Sequence, residues 1–505
     1  MTDDPLLRLG TRRGRIALAA LILASGLAFL DSSVVSVALP RIGADLGGGL
    51  ATLQWVLDAY LLTLGSFLLV GGSLGDVLGK RRIFAWGVAA FGVSSLLCGL
   101  APSGSTLVAA RAVQGVAAAL LVPGSLSIIT AAFSDAERPR AIGLWSGLSG
   151  LFTMLGPFVG GWLVDTGASG WRWVFLINAP FVLVVLLLTR RHVPELPGAR
   201  APGPLPGQLD IAGGVLAVVG LGLVAGPLIE SARLGAALTA ALVLTGVVVL
   251  AVLVGWELRT ERRYDAGARR IPMLPLSLFR IRTVAVANLV TFWVYGPVGG
   301  VFFLVTVQLI VTLGWSALAA GAAGLPITVT LALLSGRVGG WVPRVGARPL
   351  LVAGPAVMAG GLLLLGTVSA GDTYVTGVLP GILVFAAGLV LVVAPVTSAA
   401  LSDVGGRRAG AASGVNNAVA RVATLLAVAA LPAAAGMLAA GDGGGGGGES
   451  GGTGVDPAAF AAGYPTALAI AAGLCAVGAV TALALPRGAL RSPPGRPAGR
   501  STGPS

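Results

Sequence analysis

Charge is scarce in this chain of 505 residues: 10% are Asp, Glu, Lys or Arg, against 55% apolar. Soluble domains carry about 25% charged residues, so no water-soluble fold buries this much apolar surface. Lysine occurs once, as Lys80, and histidine once, as His192. The two cysteines, Cys98 and Cys475, both fall in apolar stretches, which argues against a structural disulfide. A lone histidine at the end of an apolar run, with no nucleophile or carboxylate patterned around it, offers neither a metal cluster nor a hydrolytic centre. No G-x-x-x-x-G-K-[ST] loop is present, so nucleotide binding is not expected and an ion gradient must supply the energy. No cofactor is expected.

What is present is a row of apolar segments, each about 20 residues or more, the length that crosses a hydrocarbon core. Fourteen are read, over 16–37, 52–72, 83–101, 106–131, 141–164, 172–189, 211–229, 236–256, 283–311, 317–336, 349–369, 377–400, 409–437 and 462–485. The 33 basic residues alternate sharply between connections. All but five fall in the two termini and the even-numbered connections; Arg41, Arg172 and Arg233 are in odd-numbered ones, and Arg111 and Arg421 are inside spans. Short loops rich in Lys and Arg stay cytoplasmic, so both termini are expected inside. The net charge of +13 then reflects orientation and anionic headgroups rather than nucleic acid, because no soluble segment carries a basic patch. The first span has no cleavage site of small residues, so no removable signal peptide is expected.

The composition divides the chain. A proline-rich basic stretch at 190–209 and a long connection at 257–282 isolate two spans between two blocks of six. The expected units are a six-helix bundle over 1–190, a linker with two inserted helices over 191–256, a cytoplasmic connection over 257–282, a second bundle over 283–486, and a disordered tail over 487–505. A glycine tract at 441–454 reads as a flexible external loop. The connections after spans two and ten echo each other. Gly79 precedes Arg81 by two positions, as Gly346 precedes Arg348, which is the mark of duplicated halves.

Ionisable residues inside spans are costly and therefore informative. Asp31, Asp58 and Arg111 lie at a common depth, roughly 8–9 Å from the external boundary at 1.5 Å per residue. Such groups can satisfy one another, and a carboxylate that gains and loses an arginine partner takes up and releases a proton. The alternative is a permanently satisfied structural network. Arg421 sits near mid-membrane and needs Asp31, Asp58, a helix carbonyl end or a substrate anion. Gln114, Gln308, Asn416 and Asn417 are candidates for the substrate cavity, although membrane amides more often bond between helices. Span five carries Gly143, Gly147, Gly156, Pro157, Gly160 and Gly161, a close-packing face with a bend. Trp55, Trp171, Trp173 and Trp315 at one set of boundaries, and Trp256 and Trp341 at the other, read as interfacial anchors.

The run Gly72-Ser-Leu74-Gly-Asp76-Val-Leu-Gly79-Lys80-Arg81 resembles the cytoplasmic signature of the major facilitator superfamily. Leu30-Asp31 through Pro40, Arg111 with Gln114-Gly115, Gly156-Pro157 with Gly160-Gly161, Trp171 through Asn178 and Pro180, and Ser413 through Arg421 are similar to its fourteen-helix drug:proton antiporters (the EmrB/QacA-like exporters). The resemblance implies an all-α membrane fold of two six-helix bundles with a two-helix insert. It implies a cytoplasmic interdomain latch at Gly72, Asp76, Gly79, Lys80 and Arg81, and an antiporter motif at Gly156, Pro157, Gly160 and Gly161. Val77 and Pro343 depart from the latch pattern. The implied function is export of hydrophobic or amphipathic small molecules in exchange for protons, by a monomer in the bacterial cytoplasmic membrane. A proton-coupled nutrient importer on the same fold is the competing reading. No enzyme activity is expected.

Overall fold

The computed structural model describes residues 7–47, 49–134, 137–167, 169–195, 210–268, 270, 272–369, 371–402, 404, 409–437, 455–487 and 490. The side chains of Asp76, Pro139, Ser146, Gly150, Met154, Ala409 and Gly410 are outside that description. So are most of the 190–209 linker, the 441–454 glycine tract, Arg269 and, apart from Arg487 and Leu490, the tail.

Among the described residues, fourteen helices are long and apolar enough to span a membrane: α1 Arg12–Leu46, α2 Gly49–Gly75, α3 Lys80–Gly99, α4 Gly104–Ala132, α5 Arg140–Val164, α6 Gly170–His192, α7 Ile211–Ile229, α8 Ser231–Asp265, α9 Arg282–Thr312, α10 Ala317–Gly339, α11 Ala347–Leu365, α12 Tyr374–Ala400, α13 Ala411–Ala434 and α14 Pro457–Ala482. Leu, Val and Ala dominate these runs, and a helix satisfies its own backbone in hydrocarbon. The ends are closed by side-chain caps: Thr11 on α1, Ser103 with Thr106 on α4, Ser316 on α10 and Asp456 on α14. With an even number of crossings, α1 starts and α14 ends on one face, here the terminal face. Arg282, opening α9, donates to the Ala484 carbonyl just past α14. The opposite face is the distal face.

Packing repeats with a shift of eight helices. In the first half α1 packs on α5, α2 on α4, and α3 on α4 and α6. In the second, α9 packs on α13, α10 on α12, and α11 on α12 and α14. The turn glycines repeat as well. Gly79 (φ 106°) leads into α3 and Gly346 (φ 86°) into α11, both in the left-handed region that only glycine adopts without strain. The halves meet where α2 packs on α13 and α5 on α10. The inserted pair α7–α8 lies over the first of these seams, with α7 touching both α2 and α13. Leu244, Val248 and Val252 of α8 point outward, as lipid-facing residues do.

Two boundaries differ from the sequence reading. Helix α8 runs to Asp265 instead of ending near 256, because Glu257 through Tyr264 contains no breaker and helix formers dominate it. The connection proper therefore begins after that helix. Helix α1 passes Pro40 and reaches Leu46, well beyond 37. The tryptophans also differ from simple anchors. Trp171 is fully buried and donates to Asp45, Trp55 donates to Glu230, and Trp256 donates to Asp210.

Candidate functional site

Helices α1, α4 and α6 bring a closed polar network into the first half. Asp31 on α1, Arg111 and Gln114 on α4, and Asn178 on α6 all have no exposed surface. The Arg111 guanidinium donates to Asp31 at 2.5 Å and to the Gln114 side-chain oxygen at 2.7 Å. The amides of Gln114 (3.0 Å) and Asn178 (3.3 Å) both donate to the other Asp31 oxygen. Asn178 also donates to Ser95, and Arg111 Nε donates to the Val56 carbonyl. The guanidinium lies 4.2 Å from the centre of the Tyr60 ring, a cation–π contact that partly replaces lost hydration. A buried carboxylate–arginine pair is tolerated best when its remaining lone pairs and protons are satisfied; here Asp31 accepts from three donor groups, while Arg111 Nη2 and Asn178 Oδ1 have no partner among the described residues.

Asp58 does not join this network, contrary to the expectation that the three ionisable residues meet. Depth along the membrane was the right measure but incomplete. Residues two apart on a helix point roughly 160–200° apart, so Val56 and Tyr60 of α2 face Arg111 while Asp58 faces away. Gln54 and Gly65, at spacings of four and seven from Asp58, mark its face. Gln54 donates to the Val428 carbonyl of α13, and Gly65 abuts Arg421 Cβ of the same helix. Asp58 is thus buried at the seam between the halves, and neither of its oxygens has a donor.

Arg421 extends across that seam and lies 5.7 Å from the centre of the Phe29 ring of α1. Among the described residues it forms no ion pair with Asp31 or Asp58. The substrate-cavity candidates separate. Gln114 belongs to the Asp31 network. Asn416 donates to Asn288 and Thr291 of α9, the interhelical fate of most membrane amides. Gln308 accepts from Thr312 in a π-helical turn closing α9. Asn417, exposed, donates to its own helix at Ser413.

The glycines of α5 are a contact surface. A Cβ on Gly156 would lie 1.9 Å from Ser33 Oγ, and one on Gly160 would lie 2.6 Å from Val34. Both approach α1. Gly161 faces the other half, where a Cβ would lie 2.5 Å from the Ala317 carbonyl oxygen; on α10, a Cβ at Gly321 would lie 2.1 Å from the Pro157 oxygen. Asp165 completes this junction by accepting from the N–H groups of Ala317 and Leu318 at the start of α10. The halves are therefore closed against each other at the distal face. In the half of the bundle nearest the termini, a cavity of about 840 Å³ lies between α1 and α5, walled by Leu18, Ile22, Leu148 and Phe152 and edged by Arg15 and Arg140.

At the signature, Lys80 donates to Ser127 of α4, and Arg81 donates to the Arg190 carbonyl and pairs with Glu195. These partners belong to the first half, so the described contacts of both residues brace that half rather than latch it to the second. Gly72 makes only ordinary contact with Pro123. The interdomain contact nearby is apolar: Leu69 of α2 packs with Ala412 and Val415 of α13. The Asp76 side chain lies outside the described residues.

Sequence reasoning did not single out Gln54, Tyr60, Ser95 or the role of Asn178. The spacing of Gln54 and Asp58 by four, and an asparagine inside an apolar span, were the available signals.

A family model for the Major Facilitator Superfamily matches residues 21–209. The multidrug resistance protein Stp of Mycobacterium tuberculosis is 34% identical over 80% of this chain and 72% of its own. The cephamycin export protein CmcT of Amycolatopsis lactamdurans is 34% identical over 96% of each. The probable actinorhodin transporter of Streptomyces coelicolor is 35% identical over 82% of this chain and 71% of its own. Among solved structures, a bacterial homologue of the human lysosomal transporter Spinster, inward-facing and unoccupied, shares the fold (TM-score 0.63, 18% identity, 94% of this chain and 98% of that one). So does the xylose transporter XylE from E. coli (TM-score 0.56, 15% identity, 91% and 97%). Family and fold are those of a transporter, not an enzyme. With fourteen spanning helices and these relatives along most of its length, the chain belongs to the major facilitator superfamily, grouped with its multidrug and antibiotic exporters as a multi-pass protein of the bacterial plasma membrane.

Proposed function

We propose that the protein exports hydrophobic or amphipathic drugs or antibiotics by exchanging them for protons, through alternating access. The observation that carries this reading is the fully buried Asp31 carboxylate held by Arg111. Its ion pair sits between helices of one half, and a pair that opens lets Asp31 take up a proton while one that closes expels it. The basic connections support a cytoplasmic terminal face. On that orientation the closed α5–α10 junction and the cavity near the termini describe a state open to the cytoplasm, ready to load substrate. Leu, Ile and Phe walls suit an apolar body, and Arg15, Arg140 and Glu137 at the edge suit a polar end. Asp58 and Arg421 lie on the seam that must rearrange when the halves rock. We assign Asp58 a secondary part in proton coupling and Arg421 a part in substrate contact. The protein acts as a monomer, with no cofactor beyond the proton gradient.

The direction of proton movement tests this reading. In everted vesicles with an acid interior, adding substrate outside should release protons from the lumen. An importer would move substrate and protons in the same direction, and that result would reject export.

A further inference from the structure

Outside the Asp31 network, a second pair of carboxyl groups is buried in the inserted hairpin. Glu257, on the extension of α8, has no exposed surface, and Asp210, capping α7, is 4% exposed. Asp210 Oδ1 accepts from the Gly213 N–H at 3.0 Å and from Trp256 Nε1 at 2.9 Å. Glu257 Oε2 accepts from the Leu274 N–H at 3.2 Å, while its Oε1 has no donor. Glu257 Oε1 and Asp210 Oδ2, the latter also accepting from Trp256 Nε1 at 3.1 Å, converge on Gly213: a Cβ there would lie 2.6 Å from Glu257 Oε1 and 2.9 Å from Asp210 Oδ2. The two oxygens therefore lie side by side over Gly213.

Two ionised carboxylates at that range are both acceptors, and neither can serve the other. Among the described residues no cation pairs with either one. Arg270 stands 5.6 Å from the centre of the Trp256 ring, and Glu261 is occupied by the Ser277 N–H and hydroxyl. Next to the pair, α7 packs at Gly214 on Val70 and Phe67 of α2, which are apolar. Arg269 lies outside the described residues. A single proton supplies the missing donor and removes one of two like charges.

We propose that Asp210 and Glu257 form a proton-binding site, distinct from Asp31, that fastens the inserted hairpin to the connection between the halves. When the proton is held, one carboxyl donates to the other, and Glu257 keeps its hold on Leu274. When it leaves to solvent at the terminal face, two adjacent buried carboxylates remain, and their repulsion favours separation of α8 from α7 and from the connection. The consequence reaches the transport seam. Met273 packs with Ala217 and Leu253 beside Leu69 and Val70 of α2, and Leu278 packs with Ala412 and Val415 of α13. The site thus couples pH on the terminal side to the helices that move against each other.

The test places a cysteine at the buried anchor, M273C, in the full chain; Cys98 and Cys475 are buried and leave the background quiet. Labelling by an impermeant maleimide is compared between M273C and M273C/E257Q at each pH, so thiol ionisation cancels in the ratio. Glutamine donates permanently to Asp210 and still accepts from Leu274. From about pH 6 to about pH 9 the ratio of M273C to M273C/E257Q labelling should rise about tenfold, as the proton is lost only where Glu257 is present. A flat ratio overturns the proposal. A second readout needs no cysteine: in a D58N background, which removes the other buried carboxyl without a donor, the infrared band of a protonated carboxyl should disappear in both E257Q and D210N, each leaving one carboxylate with an amide donor. Persistence of that band in both variants overturns it equally. D31N should leave both readouts unchanged, which separates this site from the transport site.

Discussion

Replacing Gly161 with alanine adds one methyl group at the point where the two halves touch most closely. Its Cβ would stand 2.5 Å from both the Ala317 carbonyl oxygen and Leu318 Cα, and backbone cannot rotate aside as a side chain can. Overpacking of this kind costs about 1–3 kcal/mol. Because the contact joins α5 to α10 only when the distal face is closed, nearly all of that cost falls on this access state. A bias of about 1–3 kcal/mol corresponds to a shift of about 5–150-fold between two states. The assay is maleimide labelling of L148C, a position on the cavity wall, applied from the terminal face. The ratio of terminal-open to terminal-closed protein, derived from the accessibility of L148C, should fall by at least about fivefold in G161A/L148C against L148C alone. Gly147 provides the control, since nothing lies within 4 Å of its would-be Cβ; G147A should label like the parent. If G161A accumulates normally and labels like G147A, the α5–α10 contact does not govern access and the reasoning is wrong.

Three further outcomes are expected. Gln114→Ala removes a donor to Asp31 and an acceptor from Arg111 and should cost about 1–3 kcal/mol; Asn178→Ala, which removes a longer bond to Asp31 and one to the neutral Ser95 hydroxyl but leaves Arg111 its acceptors, should cost less, and thermal melts in detergent would rank the two. Asp58→Asn should melt at or above the parent temperature, because both Asp58 oxygens lack donors and a neutral amide avoids burying an unpaired charge, while transport falls in a substrate-dependent way. A reporter fused after residue 265 should be cytoplasmic and one inserted at 445 external; the reverse at either position would break the orientation.

The fourteen spans, their pairing into halves and the placement of the insert between them were legible because hydrocarbon leaves the backbone few options. Helix existence followed from apolar length alone. Ends were less legible: nothing in Glu257–Tyr264 signals whether a polar helix continues beyond the membrane, and it does. At the site, Asp31 and Arg111 were recognisable as charges that had to be satisfied. Their partner Asn178 was hidden because one amide in an apolar run carries no signature of its direction. Asp58 was misplaced because depth was read without helical phase; its spacing from Gln54 and Gly65 held the missing angle. The carboxyl pair of Asp210 and Glu257 was invisible in sequence, since the two residues are far apart in the chain and only the hairpin of α7 and α8 brings them together.

Asp31→Asn is the most direct measurement. Asparagine keeps the size and hydrogen-bonding capacity of the side chain but cannot titrate. The variant, purified and reconstituted, should fold and bind substrate yet release no protons from everted vesicles when substrate is added. It should still equilibrate substrate down a gradient. If Asp31→Asn drives substrate uphill with proton release like the parent, Asp31 is not the coupling carboxylate; if Asp58→Asn does the same, proton coupling through this half of the molecule is contradicted.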